Sequence, residues 1–186
     1  DGEPWAEKAN QLRLYSGAEV FADPSNIRTL IEQHELITLG GSRYLLVEFD
    51  FGLPGSVLLR TLEAIAQRGL VPVVAHPERY DAVQRDPGLA AWCFSRGMLL
   101  QLNKGSLLGL LGSRAEDTAL HLLSHGLAHL IASDAHDDRF RTTGFRSLLP
   151  VLEPICHPDY IALLLHGNPR RILRDEPIPI PPLQSD

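Results

Sequence analysis

Residues 71–80, VPVVAHPERY, constrain this chain more than any other stretch. The run of β-branched and small apolar residues reads as a buried strand that delivers a histidine, a proline and an Arg-Tyr pair where it ends. In barrels and open sheets of parallel strands, reactive groups collect at the C-terminal ends of strands, where rigid backbone feeds variable loops. Two other stretches follow the same pattern. Residues 44–49, YLLVEF, carry Glu48 near their end, and residues 127–136, LAHLIASDAH, run apolar into Ser133, Asp134 and His136. A Glu, a His and an Asp-x-His at successive strand ends predict one metal-binding rim.

The intervening segments read as helices. Leu58, Leu62, Ile65 and Ala66 fall on one face of a helix over 57–68, which Gly69 closes. A second helix over 88–96 stops at Gly97, a strand covers 98–102, and a helix over 114–124 leads through Gly126 into the strand with Asp134. Upstream, Glu19 sits at or just past a short strand, and Asp23 with Pro24 starts a helix running to about His34. Residues 1–11 read as the tail of a helix. Helical stretches near 145–152, 158–165 and 169–174 follow, the last capped by Asn168. Strand alternating with helix implies parallel strands joined by right-handed crossovers. With 186 residues and 44% hydrophobic content, the chain fits one domain over 1–176 and a Pro-rich tail over 177–186.

Charge and cysteine usage exclude some classes. A net charge of −6 argues against broad nucleic-acid or anionic-membrane binding. Two cysteines, Cys93 and Cys156, without a CxxC pattern read as reduced thiols of a cytoplasmic protein. No apolar run is long enough to insert in a membrane. His121 and His125 stand four apart on a predicted helix, a spacing that can chelate zinc, but Gly126 ends that helix, His129 lies on the next strand and no Glu accompanies them. Tyr80 reads as packing within its loop, and Asn103, Lys104 and Ser106 either line the pocket or form an ordinary loop.

In order, the residues are GAE at 17–19, a strand ending in Glu48-Phe49, HPERY at 76–80, Gln101-Leu102-Asn103, SDAH at 133–136 with Arg141 beyond, and Gly-Asn-Pro at 167–169. Together they resemble the polymerase-and-histidinol-phosphatase (PHP) superfamily, and within it the bacterial manganese-dependent protein-tyrosine phosphatases of capsule and exopolysaccharide systems. The resemblance implies a distorted seven-stranded TIM-like β/α barrel with two or three metal ions at its C-terminal rim: manganese, or else iron or zinc. Glu19 would be a bridging carboxylate, Glu48 and His76 ligands from the next two strands, and Asp134 and His136 the last pair. Arg79 and Arg141 would hold substrate phosphate and neutralise charge gathering on its oxygens.

The implied substrate is a phosphotyrosine protein, the tail of a membrane-associated bacterial tyrosine kinase. Two other readings share the same rim: a small-molecule phosphatase of the histidinol-phosphate kind, and a non-catalytic scaffold that binds phosphoproteins through Arg79 and Arg141. The family begins with a strand bearing His-x-His, and no histidine precedes Glu19 here. The expectation is therefore a domain incomplete at its N-terminus, with weak or absent catalysis and incomplete metal occupancy. It would also have an exposed strand edge that invites a homo-oligomer.

Overall fold

A computed structural model describes residues 13–23, 25–32, 36–136 and 142–179. The expected N-terminal helix tail lies outside these residues, as does Arg141. Strands β1 (Glu19–Phe21), β2 (Tyr44–Glu48), β3 (Val71–Ala75), β4 (Leu99–Asn103) and β5 (Leu130–Ala132) pair in parallel in the order β1-β2-β3-β4-β5. Between them run α1 (Ile27–Glu32), α2 (Gly55–Ala66), α3 (Asp81–Arg85), α4 (Gly88–Ser95), α5 (Lys104–Leu107) and α6 (Ser113–Ser124). Helices α7 (Leu149–Leu152), α8 (Pro158–Ala162) and α9 (Asn168–Leu173) follow β5. With right-handed crossovers, a sequential strand order lays the helices on one face, as in the wall of a β/α barrel. A doubly wound sheet would instead reverse its strand order. The described residues thus hold five parallel strands in barrel order, where the resemblance implied seven for a whole domain.

Period-two alternation sorts the two faces. Leu45, Val47 and Phe49 join Leu58, Leu62 and Ile65 of α2 in the outer core, each no more than 1% exposed. Each such side chain contributes roughly 1.5–3 kcal/mol by leaving water. Tyr44, Val73, Leu99 and Leu130, all at or near strand starts, pack instead with Ile172 of α9 and partly buried Leu46 and Ile178. This second cluster plugs the N-terminal end of the inner face. The C-terminal end of that face is left to polar residues.

Gly69, Gly97 and Gly126 adopt φ of 81°, 74° and 68° as the predicted helix stops. Two expectations change. Glu19 opens β1 rather than ending it, in register with Leu46. Val20 packs on the outer core, so Glu19 still faces inward by alternation. Asn168 does not cap α9. The chain enters α9 from a π-helical turn, Leu163–Gly167, so helical backbone already precedes it and the buried Asn168 side chain donates to the His129 carbonyl at 2.8 Å.

Candidate metal centre

Glu19, Glu48 and His76, from the start of β1, the end of β2 and the residue after β3, converge so that one ligand atom of each lies within 4.8 Å of the others. His76 Nε2 stands 3.2 Å from Glu19 Oε1 and 3.3 Å from Glu48 Oε1. The imidazole is 2% exposed, whereas the two carboxylates keep about a third of their surface. One imidazole nitrogen carries at most one hydrogen, so it cannot satisfy both carboxylates, and two negative groups face each other across it. The buried Nδ1 of the same ring has no hydrogen-bond partner among the described residues. A divalent cation bound at about 2.0–2.2 Å from each donor would fit between ligand atoms roughly 3–3.5 Å apart, and His76 Nε2 stands at such a spacing from both carboxylates. The donor set, two hard carboxylates and an imidazole, fits manganese, iron or zinc.

Asp134 and His136 form a separate group after β5. His136 Nδ1 lies 2.9 Å from the Asp134 carbonyl and 3.5 Å from its Oδ1, with the His136 ring 59% exposed. Asn103, the last residue of β4, donates from Nδ2 to Asp134 Oδ2 at 2.7 Å. Both His76 (φ 33°) and Asp134 (φ 46°) occupy the left-handed region, which residues with a Cβ rarely adopt. Of the non-glycine residues described, only Asp175 shares this. Strain of this kind, of order 1–3 kcal/mol per residue, concentrates where backbone is bent to aim a functional group.

Arg79, at the end of the short Pro77–Arg79 turn, lays its guanidinium over Phe51 at 4.3 Å from the ring centroid. Phe51 in turn meets the His76 ring at 5.8 Å and is 38% exposed, so the cation stands beside the triad at the site's lip. Tyr80 is fully buried, as expected of a packing residue. Its hydroxyl donates to the Ala75 carbonyl at 2.9 Å and accepts the Phe49 N–H at 3.1 Å, tying the ends of β2 and β3.

One further buried group, Glu78, escaped sequence reasoning. Glu78, between His76 and Arg79, is 0% exposed, and burial pushes its carboxyl pKa upward against the lowering effect of its Ser106 and Asn103 donors. Nothing in spacing or periodicity marks it, because a Glu in a short turn is ordinarily solvated. Lys104 is also buried, donating to the Thr142 carbonyl and to the Gly144 carbonyl at 2.9 Å. The three-histidine alternative does not assemble. His121 and His125, both exposed at the C-terminal end of α6, stack at 4.1 Å, while His129 is buried against Phe94 and accepts the Leu100 N–H on Nδ1 at 3.1 Å. Burial lowers the His129 pKa to about 4.

Residues 3–174 match the family described as capsular polysaccharide synthesis, CpsB/CapC. Tyrosine-protein phosphatase YwqE of Bacillus subtilis is 29% identical over 90% of this chain, which covers 62% of that protein. A putative tyrosine-protein phosphatase CapC of Staphylococcus aureus is 34% identical over 67% of this chain, covering 49% of its own length. The chain therefore spans about half to three fifths of these two relatives. A solved structure superposes with a TM-score of 0.83 at 26% identity, covering 97% of this chain and 72% of that one. It comes from work on YwqE and on CpsB of Streptococcus pneumoniae, described as unique metal-dependent tyrosine phosphatases. With the family match covering nearly the whole sequence, the chain belongs to the CpsB/CapC family of capsular polysaccharide synthesis proteins.

Proposed function

We propose that this chain carries the metal site of a metal-dependent phosphoesterase, a tyrosine-protein phosphatase that acts on the phosphotyrosine tail of a capsule or exopolysaccharide kinase. One observation carries the reading: Glu19, Glu48 and His76 converge in a geometry that a cation would complete. The names borne by the relatives support the substrate class. Glu19, Glu48 and His76 would hold one ion, and Asp134 and His136 would supply ligands on the neighbouring strand end. Manganese is our assignment, with two or three ions in a whole domain. When bound, such ions supply Lewis acidity and lower the pKa of water near phosphorus.

The chain's own residues do the rest. Arg79, braced on Phe51, offers a planar fork of donors to phosphate oxygens, and we assign Arg141 the same role. Glu19 and Glu48 keep about a third of their side-chain surface, an accessibility that suits a protein tail better than an engulfed small ester. Buried thiols Cys93 and Cys156, whose pKa values burial pushes up to about 12 and about 11, are free, which supports a reducing cytoplasmic compartment. Among the described residues no helix is long and apolar enough to cross a membrane.

The test is phosphate release from a tyrosine-phosphorylated peptide, with and without manganese, by the full-length gene product beside this chain. Manganese-dependent release that His76→Ala and Asp134→Ala both abolish is the expected result. Near-normal rates in both variants would remove the site assignment. Arg79→Ala should weaken phosphate binding and turnover while bound metal stays unchanged.

A further inference from the structure

The candidate ligands fall into two groups, the triad of Glu19, Glu48 and His76 and the pair of Asp134 and His136, on strand ends separated by β4. Some part of the fold must set the distance between them. We infer that Glu78 and Asn103 form a buried strut that spaces the two halves of the rim, with Asn103 as the positioning residue for Asp134. This deepens the metal-site reading above and rests on it.

The contacts run continuously from β3 to β5. Glu78 lies two residues past His76 in the turn that β3 enters through the strained His76 backbone. Its Oε1 accepts the Asn103 N–H at 3.0 Å and the Ser106 hydroxyl at 2.7 Å, fastening the end of β4 and the start of α5 to the His76 turn. Asn103 carries the connection onward through its side chain. Oδ1 accepts the Gly105 N–H at 2.7 Å, which caps α5 and fixes the amide plane, and that orientation turns Nδ2 toward Asp134 Oδ2 at 2.7 Å. Glu78, Asn103 and Ser106 are each at most 2% exposed, so water does not compete for the bonds that Glu78 accepts.

Burying a carboxyl group is costly, and an apolar residue would fill the same space without that cost. A buried Glu with two donors on one oxygen is explained when the bonds it makes have a geometric task. Here the task is to hold Asp134 at a fixed place relative to His76. An amide donor on one oxygen of Asp134 fixes the carboxylate's rotation, and so the direction in which it can offer electron pairs to a cation.

The experiment is manganese titration of this chain by electron paramagnetic resonance, with thermal unfolding of each variant as the control. Asn103→Ser keeps a capping oxygen for α5 but is too short to reach Asp134. It should fold with a near-unchanged melting temperature and bind manganese at least about tenfold more weakly, the effect expected when a group that orients a ligand is removed. Glu78→Gln retains the accepting oxygen and should keep affinity within about threefold. Glu78→Leu removes it and should lose affinity as Asn103→Ser does. If Asn103→Ser binds manganese like the unsubstituted chain while Asp134→Ala loses binding, the strut has no positioning role and the inference fails alone. If the unsubstituted chain binds no manganese, the metal reading fails and the inference with it.

Discussion

At the scale of single residues, His129 shows how burial turns a titratable group into a pH liability. Its Nδ1 accepts the Leu100 N–H, which requires the neutral ring, and burial lowers its pKa from 6.5 to about 4. Below pH 6.5 the unfolded chain takes up a proton that the native ring refuses. Stability is therefore lost as pH falls from 6.5 toward 4, by up to roughly 3 kcal/mol from this residue, and is fully present above that window. His129→Asn keeps an acceptor near the same place and cannot titrate. Urea midpoints measured across this range should fall less steeply in the variant, and parallel slopes would remove the assignment. Tyr80→Phe leaves the Phe49 N–H and the Ala75 carbonyl without their partner and should cost about 1–3 kcal/mol in the same assay. Glu48 and His76 were legible in the sequence because a polar residue ending an apolar run demands a partner. Glu78 was not, because only the packing of α5 and α6 against its turn takes it out of water.

At the scale of elements, helices form where apolar spacing and a terminal glycine agree. Leu62 lies at the centre of α2's buried stripe, and Leu62→Ala should cost about 2–5 kcal/mol by leaving a cavity. Gly126 is a different case. A Cβ there meets nothing within 4 Å, so only its φ of 68° penalises a side chain. Gly126→Ala should therefore cost about 1 kcal/mol, and Gly126→Asn less, since Asn tolerates this conformation; melting temperatures rank them. Strand β1 was misplaced by about its own length because three residues carry too little alternation to set a boundary. Asn168 misled for another reason. Its type and the Pro after it fit a cap, but the π-helical turn before α9 was invisible to residue preference.

At the scale of the whole molecule, one sheet serves two purposes: its outer face binds the helices, and the end of its inner face gathers the candidate ligands. If the rim binds a cation in the native state only, excess manganese raises the melting temperature. The stabilisation is about 2.7 kcal/mol at a hundredfold excess over the dissociation constant. A chelator should reverse the shift and His76→Ala should abolish it; an identical melting temperature with and without manganese would count against the centre. The sequence by itself determined the parallel α/β class, the main strand and helix positions and most candidate ligands. These follow from local periodicity, helix-stopping glycines and polar residues at the ends of apolar runs. Only the tertiary structure decided which candidate ligands meet: Glu19, Glu48 and His76 as one cluster, Asp134 and His136 as another, with Glu78 and Asn103 between them. Register across a parallel sheet and burial beneath helices are relations between segments far apart in the chain, and local pattern carries no record of them.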